Sequence, residues 1–227
     1  MAGRRSFHAQ LAEAERLVVE TTAIVLRQIH SSLKALESRD KDLAGEVIVG
    51  DDLVDEKYID IERRVLTLLA TQAPVASDLR LVSAVLHINI HLERMADLCT
   101  NVAKFVKLAP TGPYSEDIVR EIIEMGRQGA RMLETAIEAF AERNLEKALS
   151  LQRMDETIDR LNRSLFKRVA RQFIGNEEEV EWGTRMVLIS RQLERLGDHA
   201  VDIAEQVAFM ITGEFREFTD EDAEFRD

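Results

Sequence analysis

The sequence predicts an all-α protein built from two tandem three-helix bundles that are related by internal pseudo-symmetry. Only 10 glycines and 3 prolines occur in 227 residues, aromatic residues make up 5% and charged residues 32%, a composition that favours long helices over sheets. Apolar residues recur at alternating spacings of three and four, which is typical of a left-handed helical bundle. The same pattern occurs twice along the chain, so we predict a repeated unit.

Prolines and turn residues divide the chain, because proline lacks a backbone donor and disfavours helix for the residue before it. Pro74 separates the second helix from a third, which Ser77 is predicted to cap. Gly175-Asn176 makes the corresponding stop in the second half. These signals, with Pro110, Gly112 and Pro113, predict a first bundle over residues 1–109, a linker over 110–114, a second bundle over 115–213 and an acidic tail over 214–227.

The apolar positions of the first half mark three helices in order. The first helix carries Leu11, Val18, Thr22, Val25, Ile29, Leu33 and Leu36. The second helix carries Val54, Tyr58, Ile61, Val65 and Leu68. The third helix carries Val85, Ile88, Leu92, Met95, Cys99, Val102 and Val106. Each series forms one stripe along a helix, which we expect to face a shared core.

The second half repeats this order of helices. Ser115 is predicted to cap the fourth helix, with acids in its first turn. Adding 101 to each number of the third-helix stripe gives Met186, Ile189, Leu193, Leu196, Ala200, Ile203 and Val207. The motif Glu-Arg-Met-Ala-Asp at 93–97 becomes Glu-Arg-Leu-Gly-Asp at 194–198, also offset by 101. The chain therefore contains an internal repeat, with the last helix as the counterpart of the third.

Charge and cysteine content exclude several classes of protein. The 42 acidic and 30 basic residues give a formal net charge of −12, which argues against a nucleic-acid or anionic-membrane binder. Cys99 is the single cysteine, so intramolecular disulfides and multi-cysteine zinc sites are excluded and a reducing compartment is expected. No apolar run approaches the roughly 20 residues needed to span a bilayer. We therefore expect a soluble or peripheral protein whose cysteine is a buried small hydrophobe.

Paired acids four residues apart occur on four helices and place two carboxylates on one helix face. Residues equidistant from the turn of a helical hairpin lie opposite each other, so each half is expected to bring four carboxylates to one level beside the apolar stripe. In the first half these are Asp51, Asp55, Glu93 and Asp97, and in the second half Asp155, Asp159, Glu194 and Asp198. The row continues to Asp202 in the second half, where the first half has Asn101.

Four carboxylates at one level require a compensating cation or some protons at neutral pH. Oxygen-only sites suit hard cations such as Mg, Mn or Fe(III), so we predict metal ions held by these carboxylates and by Asp202. The alternative is that Arg94 and Arg195 neutralise the acids as exposed salt bridges, which contribute little. The matched arrangement in two halves favours metal binding.

The histidines offer weaker signals. His87 and His91 lie four residues apart on the third helix, but no His-Glu-x-x-His motif surrounds them. We interpret both as polar residues on a bundle face. His199 is the one imidazole beside an acidic motif, which makes zinc less favoured than a hard cation at the carboxylates.

The paired motifs at 93–97 and 194–198, the Asp-x-x-x-Asp pairs and Ala-Ser-Asp-Leu-Arg at 76–80 together closely resemble the PhoU family, over Ser6 to about Gly213. The resemblance implies a cytoplasmic, non-enzymatic regulator that represses phosphate uptake and phosphate-starvation signalling. It implies as partners the nucleotide-binding subunit of the phosphate ABC transporter and the sensor histidine kinase of the phosphate two-component system, which would hold the protein at the inner face of the membrane. It also implies metal ions, in some members multinuclear iron, at the eight paired carboxylates.

Two rival interpretations remain open at this level. Two hard cations held by acids could activate water, so the chain could be a carboxylate-metal enzyme such as a phosphohydrolase. It could also be a structural bundle that holds no metal. Separately, the exposed helix faces of two pseudo-symmetric halves favour a homodimer.

Overall fold

The computed structural model describes residues 2–109, 115–172 and 177–218, and these form six helices. Their bounds are α1 Ala2–Ser38, α2 Lys41–Thr71, α3 Ser77–Leu108, α4 Glu116–Glu142, α5 Leu145–Gln172 and α6 Glu177–Thr212. No strand occurs within these three stretches, so the all-α prediction is confirmed. The predicted linker over 110–114, the stop at Gly175-Asn176 and tail residues 219–227 lie outside the described residues, and the domain boundaries stay predictions.

The core consists of the predicted apolar stripes. Every stripe residue of α1, α3 and α6 is buried, and on α2 only Tyr58 is partly exposed. Within each half the three helices all pack on one another: α1, α2 and α3 in the first, α4, α5 and α6 in the second. The two predicted three-helix units are therefore present.

The halves also pack on each other, because α3 lies against α6 and α1 against α4. Near the start of α3, Arg80 donates its Nε to the carbonyl of Met210 near the end of α6, at 3.2 Å. Towards the end of α3, Asn101 donates its Nδ2 to Gln192 Oε1 near the middle of α6, at 3.4 Å. The two helices are therefore antiparallel, and one continuous core spans both halves.

The turns α1–α2 and α4–α5 have the same backbone. Arg39 and Arg143 are both left-handed, with φ of 55° and 56°. The next residues donate their N–H groups to carbonyls five residues back, at 3.0 Å for both Asp40 and Asn144. Asp40 accepts from the N–H groups of Asp42 and Leu43, and Asn144 accepts from that of Lys147, which satisfies free donors at the start of α2 and α5. The internal repeat thus extends to its turns.

The start of α3 differs from the prediction that Ser77 would cap a helix beginning at Asp78. Ser77 is the first helical residue, and Ala76 is the capping residue, with φ of 48° and no side-chain cap. The backbone itself supplies the early acceptors, because the N–H groups of Asp78 and Arg80 bond to the carbonyls of Val75 and Ala76. Ser115 does precede α4 as predicted, but its hydroxyl makes no capping bond with the part of the chain described.

None of the six helices, as far as they are described, is both long enough and apolar enough to cross a bilayer.

Candidate functional site

The first acidic cluster, defined as Asp51, Asp55, Glu93 and Asp97, lies where α2 and α3 face each other. Burial raises the pKa of Asp51, and the charges of Asp97 and Asp55 raise it further. Burial also raises the pKa of Glu93, to which Asp97, Asp55 and Asp51 add while Arg94 opposes them. The four carboxylates that were predicted to lie at one level of the α2–α3 hairpin are thus close enough to affect one another's pKa values.

The second acidic cluster, defined as Asp155, Asp159, Glu194 and Asp198, lies between α5 and α6. Burial raises the pKa of Asp155 to about 7, and the charges of Asp198, Asp159 and Glu194 contribute to the rise. The pKa values of Glu194 and Asp198 are raised by burial first and by neighbouring carboxylates second. The second half therefore reproduces the cluster of the first half.

The second cluster is the more enclosed of the two. The Glu194 side chain is only 11% exposed, against 23% for its counterpart Glu93. The oxygens Asp155 Oδ1 and Glu194 Oε2 are buried without a hydrogen-bond partner among the residues that the structure describes. A buried carboxylate oxygen without a partner loses its hydration with no compensation, so a cation at this position would satisfy it.

Among the described residues, one arginine contacts the first cluster. Arg94 Nε lies 3.5 Å from Glu93 Oε2, and Arg94 Nη1 lies 3.8 Å from Asp97 Oδ2. The arginine side chain is 57% exposed, so solvent screens both contacts. Asp51 and Asp55 take part in no ion pair within the described residues, and the cluster is neutralised only in part.

Two arginines contact the second cluster. Arg163 Nη1 lies 3.1 Å from Asp159 Oδ2, and Arg191 pairs with Glu194. The alternative interpretation also expected Arg195 to neutralise the acids. In the structure Arg195 acts only as a nearby positive charge that lowers the pKa of Glu194.

The donor set of each cluster suits a hard cation in chemistry, although no three of its four described residues place ligand atoms within 4.8 Å of one another. Every candidate ligand atom is a carboxylate oxygen, and such donors prefer Mg, Mn or Fe(III) to zinc. The eight clustered residues are therefore the ones that could hold such ions. Metal binding by these residues stays a prediction.

Asp202, the ninth predicted ligand, faces two histidines. Its Oδ2 lies 3.3 Å from His199 Nδ1 and 3.4 Å from His91 Nδ1, and the two Nδ1 atoms lie 3.2 Å apart. His91 and His199 were not assigned as ligands from sequence, and the neighbouring His87 is exposed. The signal that could have revealed the pair is the antiparallel α3–α6 contact, in which a residue of one half faces a residue of the other.

Burial and the neighbouring imidazoles affect His91 strongly. Its pKa falls to about 4, first because burial disfavours the charged ring and also because His199 and His87 lie nearby, although Asp202 opposes the fall. His91 is therefore neutral at pH 7, with a nitrogen lone pair available to a ligand or a donor.

Fold and site together define a class: an all-α protein of two duplicated three-helix units, each with an acidic cluster between its second and third helices. A family model described as the PhoU domain matches residues 18–106 and 122–207, which is more than half of the chain. The chain belongs to the PhoU domain family.

Similar proteins span nearly the whole chain. A protein of Clostridium acetobutylicum named "Phosphate-specific transport system accessory protein PhoU homolog" is 31% identical over 92% of this chain and 96% of its own length. A protein of Zymomonas mobilis with the same name is 32% identical over 92% of this chain and 88% of its own.

Solved structures agree with this fold. The crystal structure of the phosphate transport system regulatory protein PhoU from Streptococcus pneumoniae has a TM-score of 0.85 and 30% identity, covering 92% of this chain and 99% of that one. The crystal structure of PhoU from Pseudomonas aeruginosa has a TM-score of 0.85 and 28% identity, covering 92% and 100%. The resemblance inferred from the motifs is thereby confirmed.

Proposed function

We propose that the chain is a non-enzymatic negative regulator of phosphate uptake and phosphate-starvation signalling. It acts as an adaptor between the nucleotide-binding subunit of the phosphate ABC transporter and the sensor histidine kinase of the phosphate two-component system. Membership of the PhoU domain family and the names of its relatives as phosphate-transport accessory proteins support this function. Its place is the cytoplasm, where partners hold it at the inner face of the membrane.

The mechanism is contact, with no chemical step on a substrate. The long helices offer two extended faces, and binding of both partners at once brings the kinase to the transporter. A kinase held in this complex is shifted towards its phosphatase state, because the complex binds that state more tightly. Isologous contact between helix faces of two chains makes a homodimer the expected form.

The acidic clusters set the charge and shape of the helical face. The role of the clusters is supported by the presence of four mutually repelling carboxylates in both halves. In the second cluster, Asp155 Oδ1 and Glu194 Oε2 are also buried without a partner in the described residues. The residues that would hold hard cations such as Fe, Mn or Mg are the eight members of the two clusters. A bound cation supplies positive charge that offsets the repulsion between α2 and α3 and between α5 and α6.

A complementation experiment tests the regulatory function. The chain is expressed in a bacterial strain that lacks its own PhoU-family protein, and a phosphate-starvation reporter is measured in phosphate-rich medium. The parent is expected to restore repression, whereas Asp97→Asn combined with Asp198→Asn is expected to restore it poorly. The exposed acids Glu134 and Glu138 on α4, also four residues apart, provide the matched control when both are changed to Gln.

Two further results decide between the rival functions. Repression by the double Asn variant equal to that of the parent would support a structural bundle without a metal requirement. Hydrolysis of a generic phosphate ester with Mg, Mn or Fe, abolished in the same variant, would support the phosphohydrolase and contradict the adaptor. Binding of the purified chain to the transporter subunit and to the kinase, each measured separately, tests the partners directly.

A further inference from the structure

Three ligand-type atoms form a nearly equilateral triangle between the halves of the molecule. His91 Nδ1 on α3 faces His199 Nδ1 and Asp202 Oδ2 on α6, with separations of 3.2, 3.4 and 3.3 Å around the triangle. Among the described residues, no other group of three histidine, cysteine or acidic side chains places its ligand atoms this close together. The two imidazole rings are held with their centroids 5.3 Å apart.

We propose that His91, His199 and Asp202 bind one divalent transition-metal ion, with Zn²⁺ as the best fit. A tetrahedral ion with bonds of about 2.0–2.1 Å has neighbouring ligand atoms about 3.3–3.4 Å apart, and the triangle has these edges. An ion about 2.1 Å from all three atoms lies about 1 Å above their plane, which leaves the fourth position open. Two imidazoles and one carboxylate suit zinc and its neighbours in the first row better than Mg or Ca.

Hydrogen bonding alone accounts poorly for this triangle. A neutral imidazole carries one N–H. If both Nδ1 atoms donate to Asp202, neither has a lone pair left to accept from the other, so hydrogen bonds cannot satisfy all three contacts at once. The two N···O separations, 3.3 and 3.4 Å, are at the long end of the hydrogen-bond range. His199 Nε2 is buried and has no partner within the described part of the chain, so Nδ1 is the ring nitrogen that makes the described polar contacts of His199.

The internal repeat provides a reference for an ordinary contact between the same helices. The offset of 101 relates His91 to Gln192, His199 to Leu98 and Asp202 to Asn101. At this symmetry-related position, Asn101 donates to Gln192 Oε1 at 3.4 Å. The fold is thus compatible with two amides and a leucine at these positions, and ligand-type residues occupy only one of the two symmetry-related positions.

The ion would connect the halves of the molecule. One ligand comes from α3 and two from α6, so binding links α3 of the first half to α6 of the second. The resulting stabilisation increases with the logarithm of the free metal concentration once this exceeds the dissociation constant. This site shares no ligand with the acidic clusters, although Asp202 and His199 lie close enough to Asp198 to affect its pKa. The clusters offer oxygen alone and prefer harder cations. Occupancy of the triangle can therefore respond to zinc while the clusters respond to other ions.

Cobalt binding tests the site, because Co²⁺ replaces Zn²⁺ and absorbs visibly in four- or five-coordinate sites with nitrogen ligands. The metal-stripped parent is titrated with Co²⁺ and competed with Zn²⁺, alongside variants that carry the counterpart residue: His91→Gln, His199→Leu and Asp202→Asn. We expect one intense site per chain in the parent and an affinity more than about 100-fold lower in each variant, since even outer-shell changes reduce metal affinity 10–100-fold. Asp155→Asn with Asp159→Asn, in the second acidic cluster, should retain the signal.

Two results would overturn the proposal. One is an unchanged cobalt spectrum and affinity in His91→Gln and His199→Leu, with thermal unfolding in EDTA showing that both variants are folded. The other needs no variant: X-ray absorption of the protein loaded with one equivalent of Zn²⁺ should show two imidazole ligands, and a shell of oxygen alone would contradict the site. Neither result depends on partners or on repression, so the adaptor function is tested independently.

Discussion

The Asp155 carboxylate lies in the space that a side chain would require at Gly197, because a Cβ atom on Gly197 would be 2.7 Å from Asp155 Oδ1. In the first half the counterpart of Gly197 is Ala96, whose methyl group fills the equivalent position. The Asp155 side chain can therefore pack against the backbone of α6. This contact gives a physical reason for the greater burial of the second acidic cluster.

Gly197→Ala should destabilise the protein although alanine is the better helix former. The added methyl overlaps Asp155 Oδ1 and also Ile158 Cδ1, which would be 2.9 Å away. Such overpacking costs about 1–3 kcal/mol, against a propensity gain of up to about 1 kcal/mol. Urea unfolding gives the free energy. Gly45→Ala is the control, since its Cβ would meet only Lys107 Nζ at 3.6 Å, and it should be neutral or stabilising. Equal stabilities of the two variants would contradict the close contact.

Asp155→Asn should make the metal-free protein more stable at high pH. The pKa of Asp155 is raised in the folded protein from 3.8 to about 7, so the folded state binds this proton more tightly than the unfolded state does. The free energy of unfolding therefore falls as pH rises from about 4 to about 7. The partial exposure of the carboxyl reduces the effect, and we expect a gain of about 1–2 kcal/mol for the variant at pH 8 and little difference at pH 4.

Urea unfolding in EDTA at both pH values measures this difference. Glu134→Gln on the exposed face of α4 controls for the loss of one negative charge from the molecule. A variant that is less stable than the parent at pH 8 would show that Asp155 is stabilising when ionised. With metal added, the order should reverse if Asp155 is a ligand, because the parent alone would gain the full stabilisation.

The apolar stripes and the levels of the carboxylates could be predicted from sequence because both follow from local rules. Helical periodicity selects the stripe, and one short turn sets the register of two helices, which is why Asp51 was expected opposite Asp97. The His91–His199 contact joins helices from different halves, whose register depends on packing across the core. The depth of Asp155 depends in the same way on how closely α5 approaches Gly197.

The second acidic cluster should retain metal more strongly than the first. It is the more buried, and two of its oxygens have no other partner within the described chain, so a bound ion is less screened and gains more there, although Arg163 and Arg191 contact this cluster. We expect Asp155→Asn with Asp198→Asn to remove more iron or manganese than Asp51→Asn with Asp97→Asn, measured by elemental analysis after dialysis against a weak chelator. The Glu134 and Glu138 double Gln variant should retain the content of the parent. Equal losses from both clusters would contradict this ranking.

The contact between α1 and α4 should show strong coupling between Leu33 and Gly126. A Cβ on Gly126 would overlap the Leu33 side chain, and both residues are buried. Gly126→Ala alone should destabilise through overlap, by about 1–3 kcal/mol, and Leu33→Ala alone through a cavity, by about 2–5 kcal/mol. The double variant should lose less than the sum, because the new methyl enters the space that Leu33 vacates. Additive losses in a double-mutant cycle would show that the two residues do not meet.

The turns at Arg39 and Arg143 have the same backbone conformation, but their side chains make different contacts. Both arginines adopt the same left-handed conformation, so either turn could be spliced into the other position without altering the path of the chain. The Arg143 side chain, however, pairs with Glu15 on α1 at 2.5 Å and lies over the Phe140 ring, 5.0 Å from its centroid. One copy of the duplicated turn therefore connects the two halves through its arginine side chain. Exchanging the backbone of the two turns without that side chain would lose this connection.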